Sequence, residues 1–188
     1  MKKPVCAGAV GPLSHWRYLL FLLLLLSFGC QAPEPPLSPG AATFKKEVQE
    51  CIDRLATPLV EPLSKKDIPA INETLKKAEP QAIKLCRMCP FRIGVLDKNG
   101  ETLTVYPYRE AAKGDFSGYE VVVQTLKNRK TLQQRFFMQD GSEIYIVCVP
   151  ILKQEELLGV LALALGAEEA KKIWGVTEKE FLAIDFNR

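Results

Sequence analysis

The chain has 188 residues, with 25 basic and 22 acidic side chains, a formal net charge of +3 and one histidine, His15. Lys2, Lys3 and Arg17 account for the excess of positive charge, so from position 30 onward the charges balance at 22 of each sign, which gives no electrostatic reason to expect a nucleic-acid partner. That portion, about 159 residues long, also has no histidine, which excludes a Ser-His-Asp triad, a Cys-His pair and histidine metal ligands while leaving enough chain for one domain with a core.

The first element is a targeting segment. Basic residues precede the apolar run Tyr18 to Leu26, and no acidic residue occurs before Glu34, the pattern of a secretory signal. The run ends Leu26-Ser27-Phe28-Gly29-Cys30, which resembles a bacterial lipobox and implies lipidation of Cys30; Phe28 and Ser27 depart from the usual pattern. The 14 residues from Trp16 to Gly29 fall short of the roughly 20 that a helix needs to span hydrocarbon. Residues 1–29 therefore read as a lipoprotein signal peptide, and the remainder is expected on the extracytoplasmic (periplasmic) side, anchored to the membrane through lipid on Cys30. Residues 30–42 follow as a Pro-rich tether, since four prolines between Gln31 and Gly40 disfavour a helix or a sheet ladder.

The domain at 43–188 opens with helices. Phe44, Val48, Cys51, Ile52, Leu55 and Leu59 recur at helical spacing opposite Lys45, Lys46, Glu50 and Asp53, and Pro58 and Pro62 are expected to end or kink this helix. A second helix runs from about Asp67 to Leu85, with an interruption expected at Pro80. Strands follow at Arg92–Leu96 and Glu101–Tyr106 around the turn Asp97-Lys-Asn-Gly100, then at Leu132–Met138 and Glu143–Val149 around Asp140-Gly141. A further strand, Leu157–Leu165, is apolar on both faces and so reads as central. The connection from Pro107 to Lys130 carries a short helix near Tyr119–Leu126, and helical turns follow Gly166, with Thr177 to Glu180 as a cap. One face of the sheet is expected under the N-terminal helices and the other under the long connection, where a small-molecule site would form.

These segments carry a resemblance. Ile93-Gly-Val-Leu-Asp-Lys-Asn-Gly100, Val105-Tyr-Pro107, Gly114-Asp-Phe-Ser117 and Val147-Cys-Val-Pro-Ile151, ending in Gly159-Val-Leu161, resemble in order and spacing a single Cache domain, a PAS-like extracytoplasmic sensor. The resemblance implies an α+β fold: a five-stranded antiparallel sheet with long N-terminal helices on one face and a loop and short-helix cap on the other. It places a ligand-binding wall at Tyr106, Tyr108, Arg109, Asp115, Tyr119, Phe137 and Tyr145, with Arg109 able to pair a carboxylate. Relatives continue through a transmembrane helix into a kinase, cyclase or chemoreceptor region, whereas this sequence stops at Arg188. Sensing would then require a partner, such as a transmembrane signalling protein, unless the domain only binds and presents a ligand.

The cysteines bear on a second possibility. Cys86-Arg-Met-Cys89-Pro90 is a C-x-x-C pair, but Pro90 stands where haem attachment needs histidine. The pair closes a helix rather than opening one, which disfavours a thioredoxin-like thiolate. A structural disulfide from Cys51 to Cys86 or Cys89 is the simpler expectation outside the cytoplasm, with Cys148 buried as a small hydrophobe. The leading reading is thus a ligand-binding sensor without catalysis, cofactor or metal, recognising a small anionic metabolite. The alternative is a periplasmic thiol-redox or electron-transfer protein using Cys86 and Cys89.

Overall fold

The computed structural model describes residues 36–85, 92–106 and 116–187, which lie within one compact unit but for Pro36. Helix α1 spans Pro39–Lys65. Ser38 caps it, its hydroxyl accepting from the Ala41 amide at 3.2 Å. The helix therefore begins inside the segment read as a tether, because proline in the first turn gives up only an N–H that has no helical partner.

Of the two outcomes expected at Pro58 and Pro62, an end or a kink, the end does not occur, since both lie inside α1. The physical reason is the buried stripe that continues past them. Leu55, Leu59 and Leu63 are all core residues, and each fully buried leucine contributes about 1.5–3 kcal/mol, enough to offset a missing backbone bond. The helix stops at Lys66, which takes the left-handed conformation (φ 53°) and donates its amide to the Leu63 carbonyl. Helix α2, Ile68–Leu85, starts on Asp67, whose carboxylate accepts from the Ala70 amide at 3.0 Å, and its backbone runs on through Pro80.

Five antiparallel strands form one sheet: β1 (Arg92–Asp97), β2 (Thr102–Tyr106), β3 (Leu132–Phe137), β4 (Glu143–Lys153) and β5 (Glu156–Gly166), in the order β2-β1-β5-β4-β3. The doubly apolar strand is indeed the central one. Between β1 and β2, Asp97 accepts from the amides of Asn99 and Glu101, and Gly100 takes φ +86°, a conformation suited to glycine. Helix α3 (Glu120–Asn128) connects β2 to β3 along the second face, and α4 (Ala167–Trp174) and α5 (Glu178–Ala183) close the chain. The segment 86–91, which holds Cys86 and Cys89, lies outside the described residues, as does 107–115.

Alternation of side chains divides the sheet into two apolar layers. On the helix face Ile93, Val95, Val147, Val149, Leu161, Leu163 and Leu165 meet the α1 stripe. Between α2 and β2 the Thr104 hydroxyl donates to the side-chain Oδ1 of Asn72 at 2.6 Å, satisfying a polar pair inside that layer. Phe44 anchors the far end, edge-on to Trp174 (5.3 Å) and Phe181 (6.4 Å). The C-terminal turns are fastened to the edge strand. Gln133 donates to the carbonyls of Leu182 and Ile184, and Asn187 both accepts from the Thr131 amide (2.7 Å) and donates to the Thr131 carbonyl.

Cys51 is part of this layer. It is a free thiol, 5 % exposed on the inner side of α1, and burial pushes its pKa up to about 12. The stripe that buries Cys51 against the sheet packs its sulfur among apolar side chains, and its expected disulfide partners, Cys86 and Cys89, lie outside the described residues.

Glu180 joins the two ends of the domain. Its carboxylate is hydrogen-bonded by Ser38, the cap of α1, and accepts from the amide and hydroxyl of Thr177, whose hydroxyl in turn accepts from the Glu180 amide. These bonds hold the Glu180 carboxyl down at about 2, from an ordinary 4.5. The stabilisation is accordingly complete above about pH 4.5 and lost as pH falls through about 2. Urea titrations should find wild type more stable than Glu180→Gln at pH 7, with the difference shrinking below pH 4.5 and gone near pH 2; a difference that does not change with pH would refute the linkage. In the core, Phe44→Ala should cost about 3–5 kcal/mol by the same measurement, since it leaves a cavity beneath two aromatic neighbours.

Candidate functional site

The two layers are not equally filled. On the helix face β5 presents Leu161, Leu163 and Leu165; on the other it presents Val160, Ala162 and Ala164. The register puts Gly94 of β1 opposite Ala162, and Cys148 of β4 on the other side of Ala162. A row of three small side chains thus crosses the middle of the sheet. Above it lies a cavity of about 380 Å³, within the usual range of small-ligand sites.

Each wall follows from an element already described. Helix α3 supplies Val121 and Val122, which close one end over Leu96, Cys148 and Val160. Phe116, Tyr119 and Phe136 make an aromatic side, with ring centroids 5.3 Å apart from Phe116 to Tyr119 and 5.2 Å from Tyr119 to Phe136. Ile144 and Ile146 of β4 and Val105 of β2 complete the apolar lining. The opposite end is open and carries Arg92, Phe137 and Met138. Phe137 and Met138 are 66 % and 41 % exposed there, and Tyr119 is 39 % exposed. Apolar side chains left exposed around a hollow are the usual mark of a binding surface.

The electrostatics of the site are simple. Arg92 is the one cation in the described lining, and no acidic side chain is found there. Cys148, on the floor, is fully buried, and desolvation alone pushes its thiol up to about 12, so it stays protonated and acts as a packing group. Among the described lining residues no nucleophile stands beside a base. Among the described residues no three side chains are grouped to hold a metal ion, and no helix is long and apolar enough to cross a membrane.

Of the residues expected to form the ligand wall, the structure gathers Tyr119 and Phe137 at the cavity. Tyr145 is corrected to the opposite face. It pairs across the sheet with Arg135 and Leu165, is 3 % exposed, and stacks on Phe181 at 4.1 Å with the rings within 7° of parallel. Burial raises its phenol, assisted by the negative charges of Glu178 and Glu143. Tyr106 is corrected in the same way: opposite Ile93, it packs with the helix-face core. The reason in both cases is parity, because Ile144, Ile146 and Val105 take the alternate positions that reach the cavity. Tyr108, Arg109 and Asp115 lie outside the described residues, as do Cys30, Cys86 and Cys89.

Among the lining residues that sequence reasoning missed are Arg92, Gly94, Ala162 and Ala164. For Ala162 and Ala164 the signal was present in β5, where large and small residues alternate within an unbroken apolar run.

No family model matches the sequence, and no curated protein matches it. Solved structures do match. A domain assigned to the sensory box/GGDEF family, from Vibrio parahaemolyticus, superposes with a TM-score of 0.53 at 12% identity, covering 88% of this chain and 66% of that one. The extracellular domain of vpHK1S-Z8, assigned as a histidine kinase, gives 0.51 at 13% identity, covering 88% and 63%. The ligand-binding domain of the amino acid chemoreceptor PctC of Pseudomonas aeruginosa PAO1, solved with GABA, gives 0.47 at 18% identity, covering 71% and 65%. This chain thus spans less than two thirds of each of those chains. The five-stranded antiparallel sheet, its helix-covered face and its hollow second face give this chain the PAS-like α+β fold of such domains.

Proposed function

We propose that this protein is an extracytoplasmic ligand-binding sensor module that takes a small anionic metabolite in the cavity of the second sheet face and acts through a partner protein, without catalysis. The observation that carries the reading is the open, apolar hollow on a sensor fold, with aromatic side chains exposed at its mouth and a cation there that no described carboxylate pairs. A hollow of this kind costs packing energy in the empty protein, which a ligand that fills it returns as affinity.

In this reading lipid on Cys30 holds the module at the membrane and leaves the cavity free for a soluble ligand. A transmembrane signalling protein is the natural partner, since the solved domains it is similar to include parts of larger sensory proteins. Arg109, in the connection that leads from β2 toward Phe116, supplies a second positive charge for the ligand's carboxylate.

Two experiments test this. A thermal-shift screen of metabolites should find ligands that raise Tm progressively as their concentration exceeds Kd. Against such a ligand Arg109→Ala should lose about 1.5–3 kcal/mol of binding, whereas Lys127→Ala, exposed on the outer side of α3, should bind as wild type does. Equal affinities of the two variants would remove Arg109 from the site, and a crystal structure with the second face sealed by side chains would remove the sensor reading. Separately, Cys30→Ser should abolish lipid labelling and membrane retention; a variant that stays labelled and membrane-bound would show that the anchor lies elsewhere.

A further inference from the structure

The described lining of the cavity runs from charge at the mouth to hydrocarbon at the closed end. From this gradient we infer the chemical class of the ligand: a monocarboxylate with an unbranched apolar body, its head at Arg92 and its tail along Gly94, Ala162 and Cys148. The inference rests on the ligand-binding reading above and narrows it.

The register fixes the direction. Three rows cross β1, β5 and β4 on this face: Arg92 with Ala164 and Ile146, then Gly94 with Ala162 and Cys148, then Leu96 with Val160. The first row lies at the open end beside exposed Phe137 and Met138; the last lies under Val121 and Val122. From Arg92 to Leu96 the strand advances about 13 Å, room for an extended chain along the small row. An extended chain lying on the small row would meet apolar atoms on every described side. Its charge would sit at the mouth, where water and Arg92 both solvate it.

The same walls argue against more polar ligands. An ammonium group needs a carboxylate or a free carbonyl, and the described lining has no acidic side chain, while the strand carbonyls at its floor are engaged in the ladder. At the closed end a second carboxylate would lie on alanine and valine, which offer no donor, a costly burial. The protonated Cys148 thiol offers only a weak one.

The floor, moreover, is small for a reason other than strand packing. A Cβ built on Gly94 would meet nothing closer than the Ala162 Cβ at 3.7 Å and the Leu96 Cδ1 at 3.8 Å, ordinary contacts. Gly159 makes the contrast, since a side chain there would run into the Leu96 carbonyl. Backbone approach demands glycine at 159; at 94 its effect is to deepen the cavity.

The test is titration calorimetry on the full chain in lipid nanodiscs, with empty nanodiscs as blank and butanoate, hexanoate, octanoate, hexan-1-ol, succinate and glycine as probes. Hexanoate should bind, and affinity should rise about fourfold per methylene between butanoate and hexanoate. Hexan-1-ol should bind at least tenfold more weakly, and Arg92→Gln should erase that preference. Ala162→Leu should weaken hexanoate by tenfold or more; if that variant does not fold, Ala164→Leu, nearer the mouth, should do the same. Succinate or glycine binding where hexanoate does not would overturn the ligand class and leave the ligand-binding reading standing. Hexanoate binding that neither Arg92→Gln nor the leucine variants affect would overturn the site, and so would no binding by any probe. Only a cavity found filled by the protein's own side chains would take the broader reading down as well.

Discussion

Strand β5 lies at the centre of the sheet and can present only alternate residues to each side. Both sides are apolar, so both must be covered, but Leu161, Leu163 and Leu165 fill the space under α1 while Val160, Ala162 and Ala164 leave space on the other face. Everything distinctive about the molecule depends on that inequality. A full layer on one side holds the fold, and an under-filled layer on the other leaves room for a guest.

The full layer is assembled from both ends of the chain. Helix α1 begins at a serine cap whose neighbour Gly40 lies so close to the Trp174 carbonyl that any side chain there would clash. Glu180 bonds both to that cap and to the capping box of α5. Gln133 and Asn187 then fasten the C-terminal turns to the edge strand β3, occupying polar groups that would otherwise face solvent at the sheet margin. The stability of the domain therefore resides on the side away from the cavity.

Much of this was legible in the residues. The two-faced apolar run of β5 pointed to a central strand, the Asp97-to-Gly100 and Asp140-Gly141 turns to two hairpins, and Thr177 to Glu180 to a capping box, and all of these are seen. Two readings failed for physical reasons. The end of α1 expected as one outcome at Pro58 and Pro62 does not occur, because the local cost of proline is visible in sequence, whereas the burial of Leu59 and Leu63 that offsets it is a tertiary term. Tyr106 and Tyr145 were set in the ligand wall by the family resemblance, and the residues themselves could not correct it, because in Ile144-Tyr145-Ile146-Val147 both faces are apolar and hydrophobicity carries no parity. Size carries it instead: the small residues of β5 mark the hollow face, and the hydrogen-bond register transfers that marking to Gly94 and Cys148.

The alternation that hides the cavity from a hydrophobicity pattern also separates two kinds of change. Enlarging Ala162, Ala164 or Gly94 alters the shape offered to a guest and leaves every contact beneath α1 in place, because neighbouring residues on the same strand report to different layers. The sheet works as a partition between a side that must keep its contacts and a side free to vary them.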